Sequence, residues 1–328
     1  MITEDTAPAP APPVSRLSHL ACLGIGAGFA LLALLPWLVT GMHLPLQNLW
    51  AVETRPEDMP IALLPLNQYL VVEILSLLVL AYGVGGITLR VIGRRRPRRA
   101  ALAVGGGVLG VHLVAAVQAV MTVAAGLTER TASTLYVAAL VGVVGMALLT
   151  GLGVLWLVSA PPRAGAVIGL SIAALLVMPW LSALLVPLGT PPGGLMTSVL
   201  VTLLPWLPAT LVGATIGWGG LGTRARVVAA VAALTLLWLV PAALTAVTAA
   251  VGSRVLLPYP TEMVDYGLGV FRAAASAPDL VVPRLLVALA VAAAGIAAQR
   301  LITRRTGPGR NRAAAPPDRP APARRELP

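Results

Sequence analysis

Lysine is missing altogether, cysteine occurs once, phenylalanine twice and histidine three times, and charged residues make up only 11% of the 328. Each scarcity excludes something. One thiol, Cys22, cannot form an internal disulfide, a paired-cysteine metal site or a redox motif. His19, His43 and His112 are too few for a His-based metal or phosphatase centre. The chain also lacks an HExxH zinc-protease motif, a GxSxG nucleophile elbow, a Walker loop and a channel signature loop. Neither an enzyme nor a cofactor is expected. Aromatic residues, at 4%, are not interleaved with the arginines as base-stacking platforms would be, so the net charge of +11 does not point to nucleic acid.

What the chain has in abundance is apolar length. Hydrophobic residues reach 58%, mean hydropathy is +0.89, and about eight apolar stretches approach the ~20 residues that cross a bilayer as a helix. In hydrocarbon every backbone polar group must be bonded internally, and uninterrupted apolar runs rule out the alternating pattern of barrel strands. The expected fold is all-α, a polytopic transmembrane helical bundle. Its spans are expected at 19–40, 68–92, 101–125, 135–159, 166–186, 195–218, 227–251 and 280–299. Residues 1–18, rich in Pro and Ala, read as a disordered cytoplasmic tail, 19–300 as the transmembrane domain, and 301–328 as a disordered basic cytoplasmic tail. The first span is too long for a signal-peptide core and reads as uncleaved.

Charge separates by connector. Arg94, Arg95, Arg96, Arg98 and Arg99, then Arg163, then Arg224 and Arg226, and finally the arginines of the tail fall in alternate connectors. Glu53, Glu57, Asp58, Glu129, Glu262, Asp265 and Asp279 fall in the others. The positive-inside rule then predicts both termini on the cytoplasmic side of the cell membrane. Anionic lipid headgroups are the expected partners of that face, at about 1 kcal/mol per arginine beside the membrane. Connector 43–67 is expected outside. Within the long connector 252–279, TEMVDYGLGVFRAAAS is expected to form a short helix lying on the membrane surface.

Few polar groups fall inside the spans, and an ionisable group in hydrocarbon is a functional candidate by default. Glu73 and Arg284 lie at matching depths from the outer ends of their spans, which predicts a pair or a shared outer cavity, with Gln118 close enough to join by hydrogen bonding, the alternative being that each snorkels separately to the outer headgroups. His112 sits deeper, as either a locally satisfied imidazole or a proton-relay group. PWL recurs at Pro36-Trp37, Pro179-Trp180 and Pro205-Trp206, and Pro241 falls in the seventh span, so kinks that free backbone carbonyls into a cavity are expected. PWL in the outer half of both the first and fifth spans hints at two parallel four-helix halves, although the connector lengths do not correspond. Gly24-Gly28, Gly106-Gly110 and Gly213-Gly217 have the spacing for close helix approach, within the bundle or in a homo-oligomer.

The expected function is transporter-like or permease-like, with an outward-facing cavity near Glu73, Gln118 and Arg284. The rival is an accessory or scaffold subunit that binds a membrane protein partner in a cell-envelope complex. A membrane transferase using Glu53, Glu57 and Asp58 ranks third, because an acidic loop is more simply a solvated one.

Overall fold

The computed structural model describes residues 17–93, 96–185, 202–253 and 259–305, with Ser198, Val255 and Leu256. Within them the regular structure is helical, no strand forms, and two isolated β-bridges join His43 with Ile61 and Trp50 with Leu127. Ten α-helices are described: α1 (His19–Ala33), α2 (Leu35–Val39), α3 (Val71–Ile92), α4 (Ala100–Gly126), α5 (Thr131–Ser159), α6 (Arg163–Leu185), α7 (Leu207–Gly219), α8 (Arg224–Gly252), α9 (Pro260–Ala275) and α10 (Pro278–Arg305). Among the described residues six are long and apolar enough to cross a bilayer: α3, α4, α5, α6, α8 and α10. The expected disordered tails lie outside the described residues but for Leu17, Ser18 and the end of α10.

Helix ends follow local chemistry. Ser18 caps α1 through its hydroxyl, which accepts from the Ala21 N–H at 3.0 Å, and Thr223 does the same for α8. Gly93 and Gly220, at φ 55° and 68°, end α3 and α7 in the left-handed region that favours glycine. Pro161 and Pro162 separate α5 from α6.

The expected first span, 19–40, is not one helix. It breaks at Leu34 into α1 and the short α2, because Pro36 has no N–H and its ring collides with the carbonyl one turn back. The start of the expected sixth span, 195–218, lies largely outside the described residues, and the rest forms a 3₁₀ turn, Leu204–Trp206, leading into α7.

Two apolar cores meet on α6. The larger surrounds α3 and draws on α1, α4, α5 and one face of α6, through Ala173 and Leu176. The smaller joins the other face of α6, through Val167 and Leu175, to α7, α8 and α10. The packing order repeats. In the first part α1 lies on α4, α3 on α5 and α1 on α3; in the second α6 lies on α8, α7 on α10 and α6 on α7. Taking α1–α2, α3, α4, α5 as one set and α6, α7, α8, α10 as the next, corresponding members make corresponding contacts. The order of contacts in two successive four-member sets is the one expected of two four-helix halves.

Small residues close the repeated contacts, though not always those with the expected spacing. Gly26 and Gly107 face the backbone of Val104 and Leu23, bringing α1 onto α4. Gly24, Gly28, Gly106 and Gly110 instead face open space, so two of the three expected pairs play no part in the bundle. The third holds: Gly213 meets Ala288, and a Cβ on Gly217 would stand 3.1 Å from the Gly295 Cα.

The segment between α2 and α3 is more than a polar connector. Its backbone pairs with itself, Leu44 N–H to the Pro60 carbonyl at 3.0 Å and Ala62 N–H to the Met42 carbonyl at 2.9 Å. Leu44, Met59, Ala62, Leu64 and Leu66 are buried on the bundle. Helix α9 also departs from expectation. It packs along α8 instead of lying across it, with Gly267 against Ala246 and Ala250 and the Ala275 carbonyl accepting the Trp238 indole N–H at 2.8 Å. Trp238 stands midway along α8, so α10 begins beside the middle of that helix.

Candidate functional site

The four expected site residues do not form one constellation. Glu73 and Arg284 are not paired; the single ion pair among the described residues joins Arg55 and Glu57. The two side chains leave their helices toward different pockets. Glu73 lines a small pocket, about 20 Å³, with Pro36, Trp37, Thr40, Pro65, Leu77 and Ala183. Its neighbour Val72, turned ~100° around the helix, lines the cavity that holds Arg284.

Gln118 is engaged elsewhere. Its side-chain carbonyl accepts the Leu63 N–H at 2.8 Å, and its amide donates to the Ile61 carbonyl and to Thr122 Oγ1, each at 3.0 Å. It fastens the α2–α3 segment to α4 and touches neither Glu73 nor Arg284. His112 is completely buried and meets the Tyr82 ring edge-on, centroids 5.7 Å apart. Among the described residues no hydrogen-bond partner reaches either ring nitrogen or the Tyr82 hydroxyl. No three His, Cys, Asp or Glu side chains gather into a metal-binding group among the described residues.

Arg284 is the expected residue around which a site is assembled. A cavity of about 470 Å³ lies between α3, α6, α7, α8 and α10. Its lining includes Pro179 of α6, Pro205 and Pro208 at the entry to α7, and Pro241 of α8. The recurrent kink prolines therefore converge, with the exception of Pro36. A proline leaves the carbonyl four residues earlier without its helical donor. For Pro179 and Pro241 those carbonyls belong to Leu175 and Leu237, and both residues line the cavity. Thr245, Thr248 and Arg284 are its polar side chains; Thr245 donates to the Pro241 carbonyl at 2.9 Å. Arg284 is half-buried and makes no hydrogen bond or ion pair among the described residues. It follows Pro283, a proline inside α10, and helical side chains lean toward the N-terminus of their helix. The arrangement offers a mostly apolar container with one cation.

Sequence reading missed a second polar cluster, at the end of the bundle where α3, α5 and α7 finish and α6 starts. Arg90 donates from Nε to the Val158 carbonyl at 2.9 Å and from one terminal nitrogen to the carbonyls of Ala160 and Pro162. Arg96 donates to the Ser159 carbonyl at 3.0 Å. The guanidinium carbons of Arg90 and Arg163 lie 5.3 and 5.6 Å from the centre of the Trp218 ring. The available signal was the alternation of arginine connectors, which points to topology and headgroup contact without saying which arginines meet. Comparison with family models, curated proteins and solved structures finds no match for this chain.

Proposed function

We propose that this chain is a permease-like protein of the cell membrane that carries a mostly apolar ligand bearing a single negative group. The observation that carries this reading is the convergence of Pro179, Pro205, Pro208 and Pro241 with the unpaired Arg284 on one cavity. A lone guanidinium among apolar walls is costly to desolvate, and an anionic ligand group offsets that cost. The apolar walls suit a hydrocarbon or isoprenoid body. Parallel repeats occur in transporters, where one half moves against the other around the binding site, and the repeated packing order supports that comparison.

In this reading the bundle has eight passes, with α1–α2 as the first and the segment ending in α7 as the sixth. Both termini are cytoplasmic and the arginine-bearing connectors lie inside. A second reading, a non-transporting subunit of an envelope complex, draws support from the folded α2–α3 segment, whose exposed Leu46, Val52 and Ile61 offer an apolar surface to a partner.

Native purification in mild detergent followed by mass spectrometry separates the two. The permease reading expects a defined amphipathic anion on the wild-type protein, its loss from Arg284→Gln and partial retention by Arg284→Lys. A ligand-free protein with a stoichiometric protein partner sinks the permease reading in favour of the second.

A further inference from the structure

The cluster around Trp218 is a separate site from the Arg284 cavity. Stretch 158–163, the end of α5 and the start of α6, collects three arginines: Arg90 and Arg96 by hydrogen bonds to its carbonyls and Arg163 as its last residue. A surface cavity of about 430 Å³, lined by Leu89, Arg90, Gly93, Arg96 and Ser159 to Pro161, opens beside them. No acidic side chain among the described residues pairs with any of the three.

The carbonyls of α5 account for part of this arrangement and no more. Arginine near a helix C-terminus satisfies the last carbonyls and the dipole, and Arg90 does so with Nε and one terminal nitrogen. Its other terminal nitrogen is left over. Arg96 spends one N–H of five. Arg163 makes no side-chain hydrogen bond among the described residues, and its guanidinium lies over the Trp218 face. Because Arg90 and Arg96 occupy the carbonyl oxygens, those oxygens do not oppose an incoming anion. Unspent donors from three planar guanidinium groups, beside the unpaired N–H groups that open α6, suit tetrahedral phosphate oxygens. Basic pockets between helices at the end of a membrane bundle are where phosphorylated headgroups bind.

We propose that Arg90, Arg96 and Arg163, with Trp218, form a binding site for a phosphate monoester or diester, presented by an anionic phospholipid headgroup or as free phosphate. The site spans the repeat: Arg90 and Arg96 come from the first set of helices, Arg163 and Trp218 from the second. A bound phosphate bridges the two sets at this end of the bundle.

The test uses the full chain in nanodiscs, with Arg96→Gln and Arg163→Gln as probes, because Arg90→Gln also uncaps α5. Arg224→Gln, at an exposed arginine that opens α8, controls for the loss of one charge. Binding of phosphatidylglycerol and cardiolipin is measured by native mass spectrometry against phosphatidylcholine, with and without inorganic phosphate. Each probe substitution is expected to weaken anionic-lipid binding about tenfold, the loss of a charge-assisted contact, while Arg224→Gln leaves it unchanged. Phosphate that displaces no lipid assigns the site to the headgroup. Protection of the wild type by inorganic phosphate alone, lost in both probes, assigns it to free phosphate. Equal binding of phosphatidylcholine without any response to phosphate, or an equal effect of Arg224→Gln, overturns the proposal.

Discussion

Trp180 donates its indole N–H to the carbonyl of Ala33 at 2.7 Å, 147 positions away in the chain. That carbonyl is free because the helix breaks ahead of Pro36: the Trp37 N–H turns to the Leu34 carbonyl at 3.0 Å and leaves Ala33 without its helical donor. The tryptophan of one PWL thus satisfies the carbonyl released by the other, while Trp37 donates to Ala62 in the α2–α3 segment at 2.7 Å. Trp180→Phe keeps the ring and removes the donor. A loss of about 1–3 kcal/mol is expected, the cost of an unsatisfied buried carbonyl, read as a lower thermal midpoint in detergent. An unchanged midpoint would show that the bond contributes nothing net.

Two hydrogen bonds of Gln118, to Leu63 and Ile61, hold the segment between α2 and α3 against α4, and a third, to Thr122, fixes the side chain on α4. Gln118→Leu preserves volume and apolar contact but removes every one of them. Amide hydrogen exchange at Leu63 is expected to rise in this variant, with exchange in the middle of α4 unaltered. Equal protection in both proteins would mean that burial of Leu44, Leu64 and Leu66 alone fixes the segment.

Neighbouring glycines on α4 give opposite expectations. A methyl group on Gly107 meets the backbone of Leu23 and pushes α1 away, so Gly107→Ala is expected to destabilise by about 1–3 kcal/mol, the usual range for overpacking. Gly106 faces open space, and alanine there improves helix propensity by up to about 1 kcal/mol. Thermal midpoints of the two variants in one detergent decide the matter, and similar values would contradict the α1–α4 contact.

The membrane orientation is open to direct labelling, since the single native thiol, Cys22, is buried and Cys22→Ser provides a clean background. Glu57→Cys and Gly222→Cys place thiols at exposed positions in an acidic and an arginine-side connector. An impermeant maleimide applied to intact cells is expected to label the first and spare the second. Labelling of both, or of Gly222→Cys alone, would refute the arginine-inside arrangement.

Most helices were legible in the sequence because their cause is local. An apolar run of sufficient length, ended by Gly93, by Pro161-Pro162 or by Gly220, defines a helix whatever lies beside it, and α3, α4, α5, α6, α8 and α10 fall within a few residues of expectation. Charge segregation between alternate connectors and the kink positions of Pro179 and Pro241 were equally local.

Contacts were decided by the tertiary structure. A helix that is apolar on every side carries no amphipathic stripe to say which face is inward. Spacing alone could therefore not distinguish Gly106 from Gly107, or show that Val72 would face Arg284 while Glu73 would not. Equal sequence depths had suggested an ion pair, but Glu73 and Arg284 face different pockets and do not form it. The gathering of Arg90 and Arg96 on stretch 158–163, which itself carries Arg163, depends on α3, α5 and α7 ending where α6 starts, which is a property of packing and is written in no single segment.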